Sequence, residues 1–184
     1  LSDGTVLHAD LVLVGVGVVP EVSAFEGTGL VTDGAIRVDE GFRTGKEGIF
    51  AAGDIASFPH PVTGDRARIE HWAVAQRQGI HAARAMMGSD EAFKEELFFW
   101  TRQHGTSIMY TGFTRSWDEI AVRGDIDDGD FLAGFAENGR VTAACSMGMG
   151  DELIACGALL ATGRNITADE VRDGGHSFVD RLKT

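Results

Sequence analysis

Four segments between residues 106 and 148, TSIMYTGF, EIAVRGD, FLAGFAENG and RVTAACSMG, are short runs of β-branched, aromatic and small residues separated by turn formers. Asn138-Gly139, between the last two, is the pair that two-residue hairpins favour, because both residues tolerate positive φ. Such a chain is driven toward short strands joined by tight turns. DELIACGALLATG follows as an expected helix closed by Gly163. TADEVRDGG reads as a second helix, with Thr167 and Glu170 at capping-box spacing. Strands followed by helices predict a small α+β domain over residues 97–184.

Upstream the texture differs. TVLHADLVLVGVGVVP begins as a short strand, turns near His8 to Asp10, and continues as a β-branched run expected to be buried on both faces. Gly15 and Gly17 would admit a close neighbour there, and Pro20 stops the strand. GLVTDGAIRVDEGFRT reads as short strands with Asp-Gly and Glu-Gly turns, and GIFAAGD as a strand ending at Gly53-Asp54. A helical stripe of Ile69, Trp72/Ala73, Gln76, Ile80, Ala83 and Met87 spans residues 67–87. Gly79 inside it suggests close packing, and Gly88 suits the C-terminal cap. SDEAFKEE is read as an exposed acidic linker holding the domain boundary.

A net charge of −12 argues against nucleic acid and anionic membranes as partners. No run reaches the ~18 apolar residues of a membrane span. Residues 64–88 are locally basic, with Arg66, Arg68, Arg77 and Arg84 against Asp65 and Glu70. The two cysteines, Cys145 and Cys156, form no CxxC pair, so no metal site or redox disulfide is expected. Both are read as small buried hydrophobes, and a reducing cytoplasmic setting follows as the expectation. A chain opening LSDGTVLHAD, without Met or signal peptide, is taken as a piece of a longer protein.

An acid at the end of a buried strand is costly unless partnered. From the residues alone, Asp54 capping a turn at DIAS and Asp54 binding something polar are about equally open. Trp72 as core, His71 as a surface side chain, and Phe98 and Phe99 as interdomain core are the ordinary readings.

Three segments, in order, resemble one family: DGTVLHADLVLVGVGVVPE; VDEGFRTGKEGIFAAGDIA with RIEHWAVAQRQGIHAARAMMG; and FFWTRQHG with SWDEIAVRGD and NGRVTAA. Together they resemble the C-terminal portion of FAD-dependent, NAD(P)H-dependent ferredoxin/rubredoxin reductases. These belong to the pyridine nucleotide–disulfide oxidoreductases, and the apoptosis-inducing-factor-like branch is the nearest in character.

The resemblance implies an α/β fold with an incomplete Rossmann-like FAD half, plus the α+β reductase domain. Residues 1–20 would end an NAD-binding domain as a return hairpin. Residues 21–90 would be the C-terminal part of the FAD domain, 91–96 a linker, and 97–184 the reductase and interface domain. GVGVVP has Pro20 where a third glycine would stand, so neither dinucleotide fingerprint is present. FAD and NAD(P)H are the implied cofactors, each only partly bound by these residues.

By the same resemblance, Asp54 accepts hydrogen bonds from the ribityl hydroxyls of FAD, and Gly53 permits the close approach. Glu70 and His71 approach the nicotinamide nucleotide, His71 and Trp72 the flavin, and the helix N-terminus suits an electron-rich flavin edge. Trp100 lies over the flavin–nicotinamide site, with Leu97 where the family has Pro. Gly17 lies against the nucleotide. No side chain is assigned an acid–base role.

The implied reaction moves a hydride from NAD(P)H to FAD and electrons on to a ferredoxin or rubredoxin, with Arg66, Arg68 and Arg77 steering an acidic partner. A homodimer is a further expectation. A disulfide reductase of the glutathione-reductase type is rejected, because GGHSFVD around His176 lacks the His–Glu motif. The remaining alternative is a non-catalytic folding or dimerisation module, which is the expectation for this polypeptide in isolation.

Overall fold

The computed structural model describes residues 1–95 and 97–183. Glu96 of the expected linker and Thr184 of the expected second domain lie outside them. The described residues form two sheets, the first backed by one helix and the second by three.

The first sheet has the order β1-β2-β3-β4, from Val31–Thr32, Ala35–Arg37, Ala56–Pro59 and Arg66–Ala67. β1 and β2 form a hairpin through Asp33-Gly34, both at positive φ, while β2 and β3 run parallel. Helix α1, Trp72–Met86, covers this sheet and buries Val74, Gln78, His81, Ala82 and Ala85. Phe42, Phe58, Phe93 and His81 fill the space between, with ring centroids 5.1–5.8 Å apart.

The second sheet is antiparallel, in the order β5-β6-β9-β8-β7. Its strands are Phe98–Gln103, Thr106–Gly112, Glu119–Asp125, Asp130–Glu137 and Arg140–Met147. Asn138-Gly139 makes the β8–β9 turn with φ of 53° and 74°, as its composition requires. α2 (Gly150–Ala161), α3 (Ala168–Arg172) and α4 (Phe178–Leu182) pack on one face. Leu132, Val141, Ala144, Leu153, Cys156, Leu159, Ile166, Val171 and Phe178 close that core. The Thr167–Glu170 capping box forms. Gly163 follows α2 at positive φ. Neither cysteine is in a disulfide; Cys156 is buried and Cys145 partly so.

Several expectations do not hold. Residues 1–19 form no strand or hairpin, and Leu11 to Val19 lie exposed, Leu13 at 93%. A β-branched run buries itself only between neighbouring strands, and no described strand flanks this one. GIFAAGD forms no strand ladder; Ala51 N–H pairs with the Phe42 carbonyl, and β3 begins after Asp54.

Helix α1 starts five residues later than expected, because Arg66–Ala67 pairs with β3. Its inward face is also different. Trp72, Ile80 and Met87 are exposed, because the aromatic cluster takes the opposite side. A Cβ at Gly79 would meet nothing within 4 Å, so no close packing occurs there. Within the acidic linker Phe93 is buried; as its aromatic ring, it enters the cluster beside Phe42.

His60, at the end of β3, is buried against Phe113 with ring centroids 5.2 Å apart, and its Nδ1 accepts from Thr63 N–H. Burial pushes this imidazole from its ordinary 6.5 down to about 4, with Asp65 opposing. The unfolded chain therefore takes up the proton first as pH falls. Stability from this group is complete above pH ~6.5 and declines toward pH 4, by about 2 kcal/mol at pH 5. Thermal melts between pH 7 and 5 are expected to show this slope, and His60→Phe to flatten it.

Candidate functional site

The chain reverses at Gly53, whose φ of +81° is reached readily only by glycine. Gly53 N–H donates to Gln78 Oε1 at 2.8 Å, and its carbonyl accepts from Ala56 N–H at 2.9 Å. A Cβ placed on Gly53 would lie 3.5 Å from the Ala75 Cβ, so the turn rests on the first turns of α1. Asp54 projects from this turn and is exposed.

α1 begins directly beside it. His71 is the N-cap, in extended conformation, and its Nδ1 accepts from Ala73 N–H at 3.3 Å. Accepting there requires a neutral imidazole. Partial burial favours that form by pulling the His71 pKa below its ordinary value, and the Asp54 carboxylate opposes it. No acidic side chain occupies the first turn of α1 itself; the carboxylates at this helix end, Asp54 and Glu70, lie just outside it.

An aromatic wall rises from the β5 edge. Trp72 and Trp100 are 63% and 40% exposed, and their rings meet edge to face with centroids 5.7 Å apart. His71 lies 5.7 Å from Trp100 and 5.6 Å from Phe99. Glu70 pairs with Arg68 at 2.5 Å, and Arg68 also donates to the Asp54 carbonyl at 3.2 Å.

Gly53, Asp54, Glu70, His71, Trp72 and Trp100 thus gather around one helix terminus. Gly17 does not join them: it lies in the exposed segment, with nothing within 4 Å of a Cβ placed there. Phe98, expected as interdomain core, packs against the second core instead. Phe99 does not, since it faces His71 and stacks on Tyr110 at 4.9 Å. Alternation along β5 places successive residues on opposite faces, which separates Phe99 from Phe98.

Gln78 escaped the sequence reading. Its signal was an amide at a position that shares a helix face with Val74, Ala82 and Ala85. Arg37 and Arg115 were also missed. With Arg66, Arg68 and Asp33 they line a cleft of about 310 Å³ along the first sheet. Arg66 is anchored by the Val38 and Ser57 carbonyls, and Arg115 donates to the Arg66 carbonyl. Arg77 lies apart on α1, 3.5 Å from Glu95.

A glycine turn bearing an acid thus stands against the His71-capped end of α1 and an aromatic wall. Residues 1–79 match the family model described as pyridine nucleotide-disulphide oxidoreductase, and residues 98–180 the model described as reductase C-terminal. Together the two matches span most of the chain, which resembles the C-terminal portion of a pyridine nucleotide–disulphide oxidoreductase.

It is 37% identical over 158 residues to the anthranilate 1,2-dioxygenase system ferredoxin–NAD(+) reductase component of Burkholderia cepacia, covering 85% of this chain and 39% of that one. Apoptosis-inducing factor 3 of Mus musculus is 32% identical, over 93% of this chain and 29% of that protein. The crystal structure of the ferredoxin reductase for the CYP199A2 system from Rhodopseudomonas palustris superposes with a TM-score of 0.89 at 27% identity. That match covers 98% of this chain and 45% of the other. The chain therefore spans less than half the length of these relatives. Among the described residues no helix is long and apolar enough to cross a membrane.

Proposed function

We propose that the protein containing this chain is an FAD-dependent NAD(P)H oxidoreductase that passes electrons to a ferredoxin-type acceptor. This chain would supply one wall of its flavin site together with the terminal reductase domain. The observation that carries this reading is the meeting of the Gly53–Asp54 turn, the His71-capped end of α1 and Trp100. FAD, when bound, supplies the hydride-accepting and one-electron chemistry.

The chain's own residues bind, orient and shield. Gly53 lets backbone lie close to the cofactor, and the Asp54 carboxylate accepts from its hydroxyl chain. The unpaired N–H groups of α1 face an electron-rich edge. Trp72 and Trp100 exclude water, and Glu70, His71 and Trp100 border the nicotinamide side. Gly17 belongs to that side only if missing strands carry its segment there. Neutral His71 moves no proton, in keeping with a hydride transfer that needs none.

An acidic acceptor finds its charge complement in Arg66 and Arg68, joined by Arg37 and Arg115 in one cleft. Arg77, held by Glu95, contributes less. Ferredoxin rather than rubredoxin is favoured by the names of the relatives. A cytoplasmic setting accords with two cysteines outside any disulfide.

For the isolated 184-residue chain the second reading, a non-catalytic folding or dimerisation module, is favoured. The bare outer face of α1 and the unpaired Leu11–Val19 run support it. One experiment tests both readings: purify the product of the complete reading frame and the isolated chain, then titrate each with FAD. The complete product is expected to be yellow and to reduce a ferredoxin with NADH or NADPH, and the isolated chain to stay colourless. A complete product without flavin overturns the oxidoreductase reading.

A further inference from the structure

Gln78 sits in the second turn of α1, fully buried, on the face that otherwise carries Val74, His81, Ala82 and Ala85. Its Oε1 accepts the Gly53 N–H at 2.8 Å. That contact fixes which way the amide points, because a backbone N–H can only donate. The other end of the amide, Nε2, is buried without a hydrogen-bond partner.

Packing alone does not account for this residue. A buried unpaired amide N–H is costly, and a methionine of similar length would avoid that cost. What the amide does achieve is specific. Gly53, with its left-handed φ, is a point at which the chain could swivel. Gln78 holds its N–H from the α1 side, while Ala56 N–H holds its carbonyl from the β3 side. The two peptide groups flanking the Gly53 Cα are each held, and Asp54, the next residue, inherits its direction from them.

We infer that Gln78 is a positioning residue for the cofactor, acting through the Gly53 N–H to hold the Gly53–Asp54 turn in its binding arrangement. The inference rests on the flavin reading of that turn. It assigns to the second turn of α1 a role separate from that of the helix N-terminus. It also makes a distinction that bulk packing would not: the acceptor oxygen at position 78 matters, and the amide nitrogen does not.

The test uses the flavoprotein of the complete reading frame with Gln78→Met, which removes the acceptor at similar volume, and Gln78→Glu, which keeps it. The readouts are the FAD dissociation rate, followed by recovery of free-flavin fluorescence, and the melting temperature of the FAD-stripped protein. Gln78→Met is expected to lose FAD about tenfold faster, the worth of roughly one hydrogen bond. Its FAD-free melting point should stay within about 2 °C of wild type, since removing the unpaired donor offsets orphaning the Gly53 N–H. Gln78→Glu is expected to return FAD loss to within about threefold of wild type.

Equal FAD retention by wild type and Gln78→Met overturns the inference, as does equal failure of the Met and Glu variants. A fall in FAD retention matched by a large fall in the FAD-free melting point also overturns it, because that marks a merely structural residue. A wild-type protein that carries no flavin sinks the flavin reading and this inference together, whereas the other outcomes bear on Gln78 alone.

Discussion

Asp54→Ala, made in the product of the complete reading frame, is expected to give a folded protein that purifies without FAD. The Asp54 side chain is exposed and makes no hydrogen bond or ion pair among the described residues. Removing it should therefore change stability by no more than about 0.5 kcal/mol. Its loss to the cofactor is far larger. An ionised carboxylate accepting from hydroxyls contributes about 1.5–3 kcal/mol per hydrogen bond, so two such bonds correspond to at least a hundredfold in affinity. Asp54→Asn keeps one acceptor oxygen and should fall between. Flavin absorbance per protein, with thermal melting as the control, decides the matter. An Asp54→Ala protein with its full complement of FAD would show that the acid only shapes the turn.

Gly112→Ala is expected to cost about 3 kcal/mol or more, a large part of the stability of a domain this size. Gly112 ends β6 with φ of +79°. A Cβ there would lie 2.4 Å from the Thr142 carbonyl oxygen and 2.9 Å from the Ala143 Cα, and backbone cannot step aside as a flexible side chain can. Strand β9 would have to move, and with it the Gly112 N–H bond to the Leu97 carbonyl just before β5. Gly79→Ala is the matched control. It places a methyl in open space within a helix, so it should be neutral or stabilise by about 0.5–1 kcal/mol. Chemical denaturation of the two variants beside wild type reads both signs. A Gly112→Ala protein as stable as wild type would mean that the β6–β9 contact is looser than described.

What could be read in advance follows the range over which each signal acts. Asn138-Gly139, Asp33-Gly34, Thr167–Glu170 and Gly163 are local devices, set by the φ angles and hydrogen bonds of a few neighbouring residues, and all four form. The β7–β8 and β8–β9 hairpins of the second half were legible for the same reason. By contrast, β5 was not read as a strand, and the β6–β9 pairing joins strands more than 30 residues apart. Leu11–Val19 and GIFAAGD needed distant partners, and without described neighbours neither builds a ladder. The face of α1 was misread because its apolar stripe was assumed to point inward. The packed face is instead the one that meets Phe42, Phe58 and Phe93, and those rings come from three separate segments.

The site divides in the same way. Gly53-Asp54 and Glu70-His71-Trp72 stand out as motifs, and Trp100 as an aromatic at a matching place. Gln78 carries no motif, and its partner is 25 residues away. Arg37 and Arg115 come from different ends of the fold and meet only once the two sheets are in place.

The three tryptophans, Trp72, Trp100 and Trp117, are all substantially exposed, and two of them stand edge to face at the start of α1. Indoles this close couple their excitations, so the pair is expected to add a circular dichroism signal of its own. That signal survives only while α1 and β5 keep their angle of 77° between rings. Indole emission also overlaps the near-ultraviolet absorption of an oxidised flavin, which makes both residues energy donors to any flavin seated beside them. The wall that would keep water from the cofactor is thus also a native optical gauge, reading occupancy by quenching and the integrity of the joint by ellipticity.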